Sequence, residues 1–269
     1  MNRFSLTINR LYVAFIVLIS ILVVEGCGST PLSRYPHFLE QKKKIQRATV
    51  MMDCSIVEAI LGDTDKVDVV RNREIATMCL NLFAGSMNQK EYRVEKTFLS
   101  SVGMMMNENR VSRVAQTPDD QQLDNEQLPV SSPPFYVHQA YNKVSIGKDA
   151  LKKVYSSLIR TVDHKGDSLP KIPEAMLFQS ETGDGTLFVV VVSGIEVPVS
   201  KQLGERVISE SLTERSVAIQ PITQLSVFLF VIDTMSGEVI WDDHIYKKGG
   251  TIYPAKILKM AKHLIENLP

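Results

Sequence analysis

Thr186–Val197, TLFVVVVSGIEV, is the stretch whose reading decides the fold. Leu187 through Val192 is an unbroken apolar run rich in β-branched valine. A strand with one wet face alternates apolar and polar residues, whereas a strand covered on both faces reads as this one does. It is therefore expected at the centre of a sheet, with helices on either side. Two neighbouring segments can supply such helices. Asp149 to Val162 places Leu151, Val154, Tyr155, Leu158 and Val162 on one helical face, with Asp149 at the positive end of the dipole. Val69 to Ala84 sets Ile75, Cys79 and Leu82, with Ala76, Leu80 and Phe83 beside them, along a buried stripe. That second helix is expected to stop near Gly85.

The remaining strands are expected at Ala48 to Val57, at Tyr92 to Val102, and in a hairpin. Val217 to Ile232 and Glu238 to Tyr246 flank Asp233-Thr234-Met235-Ser236-Gly237, a short loop carrying glycine. Gly249-Gly250 breaks the second hairpin strand, and Pro254 then stands where a first helical residue tolerates a missing N–H. Ile257, Leu258, Ala261, Leu264, Ile265 and Leu268 form a stripe broad enough to cover a sheet face. Lys256, Lys259, Lys262 and His263 line its other side, read as a solvated face, with a stripe facing a membrane or partner as the other reading. A connection marked by Gly166, Pro170 and Pro173 leads to a turn at Gly183-Asp184-Gly185, and Pro198 to Leu212 is read as a helix. Asn107 to Tyr141 is polar and without periodicity, and so long a stretch inside a compact domain points to a flexible insertion. The order of elements predicts an α/β protein. Residues 45–269 are expected to form a single domain.

The first 26 residues read as a lipoprotein signal peptide. Asn2, Arg3 and Arg10 make a polar, positive start, and Leu11 to Val24 is an apolar run of fourteen residues. A spanning helix needs about twenty, so this run suits a secretory signal. Cys27 closes it, followed by Gly28-Ser29-Thr30-Pro31, and cleavage before Cys27 would let its thiol carry lipid. Glu25 stands where a small residue is usual. Residues 27–44 then form the lipidated cysteine and its tether, including the Lys42-Lys43-Lys44 run. The resulting localisation is the bacterial cell envelope. With Gly28 rather than aspartate after the cysteine, the reading leans to an outer-membrane lipoprotein facing the periplasm.

Without residues 1–26 the chain keeps 28 of its 30 basic and 29 of its 30 acidic residues, a formal charge of −1. That balance generates no field to gather nucleic acid, and none is expected as a partner. With 44 % hydrophobic residues the chain can bury a core, which argues against disorder of the whole. Cys54 and Cys79 remain after Cys27. As an even pair in an oxidising compartment they can form a disulfide, or they can be two small buried hydrophobes.

The usual catalytic signatures are missing: no G-x-S-x-G elbow, no phosphate-cradling G-x-x-x-x-G-K-S/T, no H-E-x-x-H and no C-x-x-C. The constellation to weigh is Trp241-Asp242-Asp243-His244. On a strand Asp242 and His244 share a face about 7 Å apart, which allows metal binding or acid–base work. A zinc site needs further ligands from elsewhere. The plainer reading is a polar strand face at a sheet edge, and no catalytic residue is assigned.

Asp233-Thr234-Met235-Ser236-Gly237-Glu238-Val239-Ile240-Trp241, followed by a polar strand end and a terminal amphipathic helix, resembles the C-terminal half of the periplasmic CsgG-like lipoproteins. That group includes curli-secretion and penicillin-binding-protein-activator lipoproteins. The resemblance implies a three-layer α/β sandwich, with a central mixed β-sheet flanked by helices, used for assembly and partner binding, not catalysis. The expected function is thus a membrane-anchored binding or assembly factor, held through its lipid, with an envelope protein as partner and oligomerisation open. No cofactor is expected besides the covalent lipid on Cys27. The alternatives are a ring-forming secretion or transport component, or a metal-dependent enzyme using Asp242 and His244.

Overall fold

The computed structural model describes residues 48–59, 64–90, 96–106, 111–114, 133–138, 148–162, 170–182, 185–197 and 222–268, together with Phe38, Lys42, Ile45 and Tyr92. Within them lie eight strands and four α-helices. In chain order these are β1 (Ala48–Glu58), β2 (Asp65–Asp68), α1 (Val69–Gln89), β3 (Lys96–Val102), β4 (Val111–Val114), β5 (Tyr136–Val137) and α2 (Lys148–Thr161). A 3-10 turn (Pro173–Ala175) then leads to α3 (Met176–Thr182), β6 (Thr186–Val197), β7 (Ile222–Asp233), β8 (Val239–Lys248) and α4 (Pro254–Asn267).

All the strands join one mixed sheet. Its main path runs β4-β2-β1-β6-β7-β8, and β3 pairs with β1 and β5. β6 is central, as its valine run predicts: it lies parallel to β1 on one side and antiparallel to β7 on the other, paired along its whole length. Alternate side chains leave a strand on opposite faces. Leu187, Val189 and Val191 meet Met51, Phe230 and Ile232, and this face is covered by Leu151, Val154, Tyr155 and Leu158 of α2 and by Ile172, Ala175 and Phe178. The opposite face carries Phe188, Val190 and Val192, also buried, beneath α1 and α4, which pack on each other and on the sheet. The result is the three-layer α/β sandwich with a central mixed sheet.

Side chains complete the backbone pairing where strands run out. β3 leaves β1 at Cys54, and β2 joins it only at Glu58, so Ile56 has no strand on that side. Asn72, buried in the first turn of α1, stands in for one. Its Oδ1 accepts from the Ile56 N–H at 2.8 Å and its Nδ2 donates to the Ile56 carbonyl at 3.1 Å. Asp68 caps the same helix, accepting from the Arg71 N–H at 2.9 Å. Arg71 in turn reaches Glu196 at the end of β6 at 2.6 Å, and the other Glu196 oxygen accepts from the Ile252 N–H at 2.7 Å. At the far end, Lys90 donates to the Glu266 and Leu268 carbonyls at the close of α4, where a cation suits the dipole.

Several expectations change. α1 does not stop at Gly85 but runs to Gln89, because a glycine without a left-handed backbone turn does not break a helix whose apolar stripe continues to Met87. The connection around Pro173 holds a 3-10 turn and a helix. Within Asn107–Tyr141, residues 111–114 and 136–137 are strands of the sheet, so parts of that insertion belong to the core; Phe135 is buried beside Val102. Upstream of residue 45, Phe38 is buried, its ring centre 6.4 Å from that of Trp241. Residues 1–36, including the signal peptide and Cys27, lie outside the described residues, as do most of the tether, Gly183-Asp184 and Pro198 to Leu212.

Candidate functional site

Among the described residues, the α2 side of the sheet is covered over only part of its length. Toward the carboxyl ends of β1 and β6 the paired rows read Ser55, Ser193, Ser226 and Tyr246, and beside them Asp53, Val191, Phe228 and His244. Ile195 and Tyr246 are 43 % and 47 % exposed, His244, Gln224 and Lys248 are exposed, and Phe228, Ser193 and Ser226 are half-buried. Small serines keep the surface low, so the aromatic side chains of β7 and β8 stand above it. Phe228 stacks on His244 with ring centres 5.5 Å apart and on Phe230 at 6.2 Å, and the Lys248 ammonium lies 5.7 Å from the Tyr246 ring. This open, aromatic and basic surface borders β8, the last strand of the sheet's main path.

Asp242 and His244 do share this face, but a β-bulge separates their surroundings from the expected ones. The register shifts between Val231 and Ile232, so that Ile232 faces Val239 and Val231 faces Trp241. Asp242, 2 % exposed, consequently sits opposite Phe230 of the core, whereas His244 lies flat on Phe228 in the open. Among the described residues no three His, Cys, Asp or Glu side chains are grouped to hold a metal. Asp243 is buried on the other face, where it accepts from the His244 N–H at 2.8 Å and from Asn267 at 3.2 Å.

The hairpin motif is structural. Asp233 Oδ1 accepts from the Met235 N–H at 2.9 Å, Oδ2 accepts from the Ser236 hydroxyl at 2.9 Å, and the Gly237 N–H returns to the Asp233 carbonyl at 2.8 Å. Gly237 adopts φ +72°, and a Cβ there would lie 2.8 Å from the Ile172 carbonyl oxygen, so the position calls for glycine on both counts.

One buried group was not legible as such in the sequence. Asp53 lies wholly inside the sheet core, accepting from Ser55 at 2.6 Å, from Ser101 at 2.8 Å and from the Met104 N–H at 3.0 Å. Burial pushes its carboxyl above the usual carboxylate range, against the pull of those hydrogen bonds. It ties β1 to β3 and to the Gly103–Met106 turn. The disulfide considered for Cys54 and Cys79 is not formed: both are buried free thiols. Cys54 lies on β1 and Cys79 on the buried stripe of α1. Burial raises both thiols, Cys79 to about 12.

No protein family matches the chain, and no characterised protein matches its sequence. Among solved structures it is similar to the crystal structure of lipoprotein GNA1162 from Neisseria meningitidis, at 8 % identity and a TM-score of 0.26, over 81 % of this chain and 96 % of that one. Such a score does not place two chains in one family. None of these comparisons ties the chain to the CsgG-like lipoproteins. No helix among the described residues is long and apolar enough to cross a membrane.

Proposed function

We propose that this is a bacterial envelope lipoprotein, anchored through lipid on Cys27 at the periplasmic face of the outer membrane, whose α/β domain acts as a non-catalytic binding or assembly factor. The carrying observation is the part of the sheet face left exposed among the described residues, where Ile195, Phe228, His244 and Tyr246 form an apolar and aromatic surface continuous with the core. Aromatic side chains on a rigid scaffold supply contact area at little entropic cost, the property of binding surfaces. Two of the buried carboxylates are engaged in holding the fold: Asp53 by two hydroxyls and a backbone N–H, Asp243 by Asn267 and its neighbour's N–H. Anchoring rests on the Leu11–Val24 run and Cys27-Gly28-Ser29, and several acyl chains on one cysteine give the durable attachment that one chain does not.

Two experiments test this reading. Metabolic labelling with an alkyne-bearing fatty acid should label the wild type and not Cys27→Ser, which should leave the membrane fraction; an unlabelled wild type refutes the anchor. A photocrosslinking residue at Gln224 or Ile195 should capture a defined envelope protein in cells, and one at Lys259, on the opposite face, should not. Equal capture from both positions, or from neither, refutes the assigned surface.

A further inference from the structure

We propose that β8 is a docking edge that takes an extended acidic segment of a partner protein as an additional strand; this rests on the binding role above and names the partner's chemistry. Among the described strands β8 pairs with β7 alone. Two hydrogen bonds show which way its peptide groups turn. The Gly249 N–H donates to the Thr223 carbonyl of β7 at 2.9 Å, so the odd-numbered residues of this run face β7. The His244 N–H donates to the Asp243 carboxylate at 2.8 Å, so the even-numbered ones face away. His244, Tyr246 and Lys248 therefore present their backbone at the open edge, with only the His244 N–H masked.

The same edge already receives an extended segment farther upstream. The Ile172 N–H donates to the Gly237 carbonyl at 2.7 Å and the Val239 N–H to the Pro170 carbonyl at 2.9 Å. Lys171 and Glu238 form the antiparallel bridge between them and an ion pair at 3.1 Å. That contact ends before Trp241, leaving the stretch through Lys248 without a neighbouring strand among the described residues.

Charge selects the occupant. The exposed charge along this stretch is basic, from Lys247 and Lys248 with His244 beside them, since Asp242 and Asp243 are buried. Lysines on an edge discourage pairing of two copies, because a second β8 would bring a second set of the same cations. A strand bearing carboxylates would instead pair with them across both faces, Lys248 on the Tyr246 side and Lys247 on the other. Strand addition draws affinity from the main chain and selectivity from such alternate positions. An apolar side chain in the incoming strand would rest on Phe228 and Tyr246.

The test uses the full chain carrying Cys27→Ser, titrated with two fluorescein-labelled peptides. One alternates valine with glutamate; the other has lysine at each glutamate position. The acidic peptide should bind at least tenfold more tightly and lose affinity as salt rises. Tyr246→Pro removes one outward N–H and leaves the β7 ladder intact, a setting in which an edge strand tolerates proline. It should weaken the acidic peptide at least tenfold with an unchanged melting temperature. Lys247→Glu/Lys248→Glu should reverse the peptide preference. Equal binding of the two peptides, absence of binding, or indifference to both variants overturns the proposal. A dimer seen by sedimentation and dissolved by Tyr246→Pro also overturns it, in favour of a second copy. If the peptides fail while the Gln224 crosslink still captures its protein, the binding role stands and the acidic-strand proposal alone falls.

Discussion

Replacing Asn72 isolates the cost of leaving one strand residue without a neighbour. Asn72 is 1 % exposed and Ile56 3 %, so neither can be rescued by bulk water. Asn72→Leu keeps the volume and removes both hydrogen-bonding functions, stranding the Ile56 N–H and carbonyl, which Asn72 meets at 2.8 and 3.1 Å. A buried polar group left unmet costs about 1–3 kcal/mol. Two of them together should lower stability by roughly 2–6 kcal/mol, a large share of the roughly 5–15 kcal/mol of an average domain. Asn72→Asp is the sharper variant. It keeps an acceptor for the Ile56 N–H but turns a second oxygen toward the Ile56 and Asp68 carbonyls, which Asn72 Nδ2 now meets as a donor. Ionisation of that aspartate is disfavoured in the fold, so its folded pKa lies above the unfolded value. The variant should approach wild type below about pH 4, where the protonated acid can donate, and fall away as pH rises. Trp241, the single tryptophan, is 5 % exposed and reports unfolding by its fluorescence in urea. An Asn72→Leu protein within about 1 kcal/mol of wild type would refute the strand-substitute reasoning.

Asp53 makes a second pH prediction. Its folded carboxyl is raised by burial, so its favourable contribution is complete below the unfolded pKa and is lost as pH rises through the folded one. Asp53→Asn should therefore gain stability relative to wild type as pH is raised from about 4 toward 7, in paired urea melts; a difference that does not vary with pH contradicts this. In the Cys27→Ser background, Cys54 and Cys79 should be silent to a thiol reagent at neutral pH and both react in denaturant, counted by absorbance, because the buried thiols are held protonated. Leu264→Ala should cost about 2–5 kcal/mol because the side chain is fully buried, whereas Lys259→Ala on the exposed face of α4 should change stability by less than about 0.5 kcal/mol.

What the sequence determined by itself was whatever local periodicity encodes. The valine run of β6, the stripes of α1, α2 and α4 and the Asp233–Gly237 turn each satisfy their own pattern, so their positions, and with them the layered α/β architecture, could be read from the chain. What only the tertiary structure decided depends on pairs far apart in sequence. Asp53 reads as a polar strand residue until Ser101 and Met104 are brought to it across β3. Asp242 and His244 are two residues apart on one strand, yet one is buried and the other exposed, because the bulge ahead of them and the covering from α2 set how far the core extends. The open edge of β8 is the plainest case. Whether a strand has a neighbour is a property of the assembled sheet, and the outward turn of the Tyr246 and Lys248 peptides follows from a hydrogen bond between Gly249 and Thr223 that no local pattern contains.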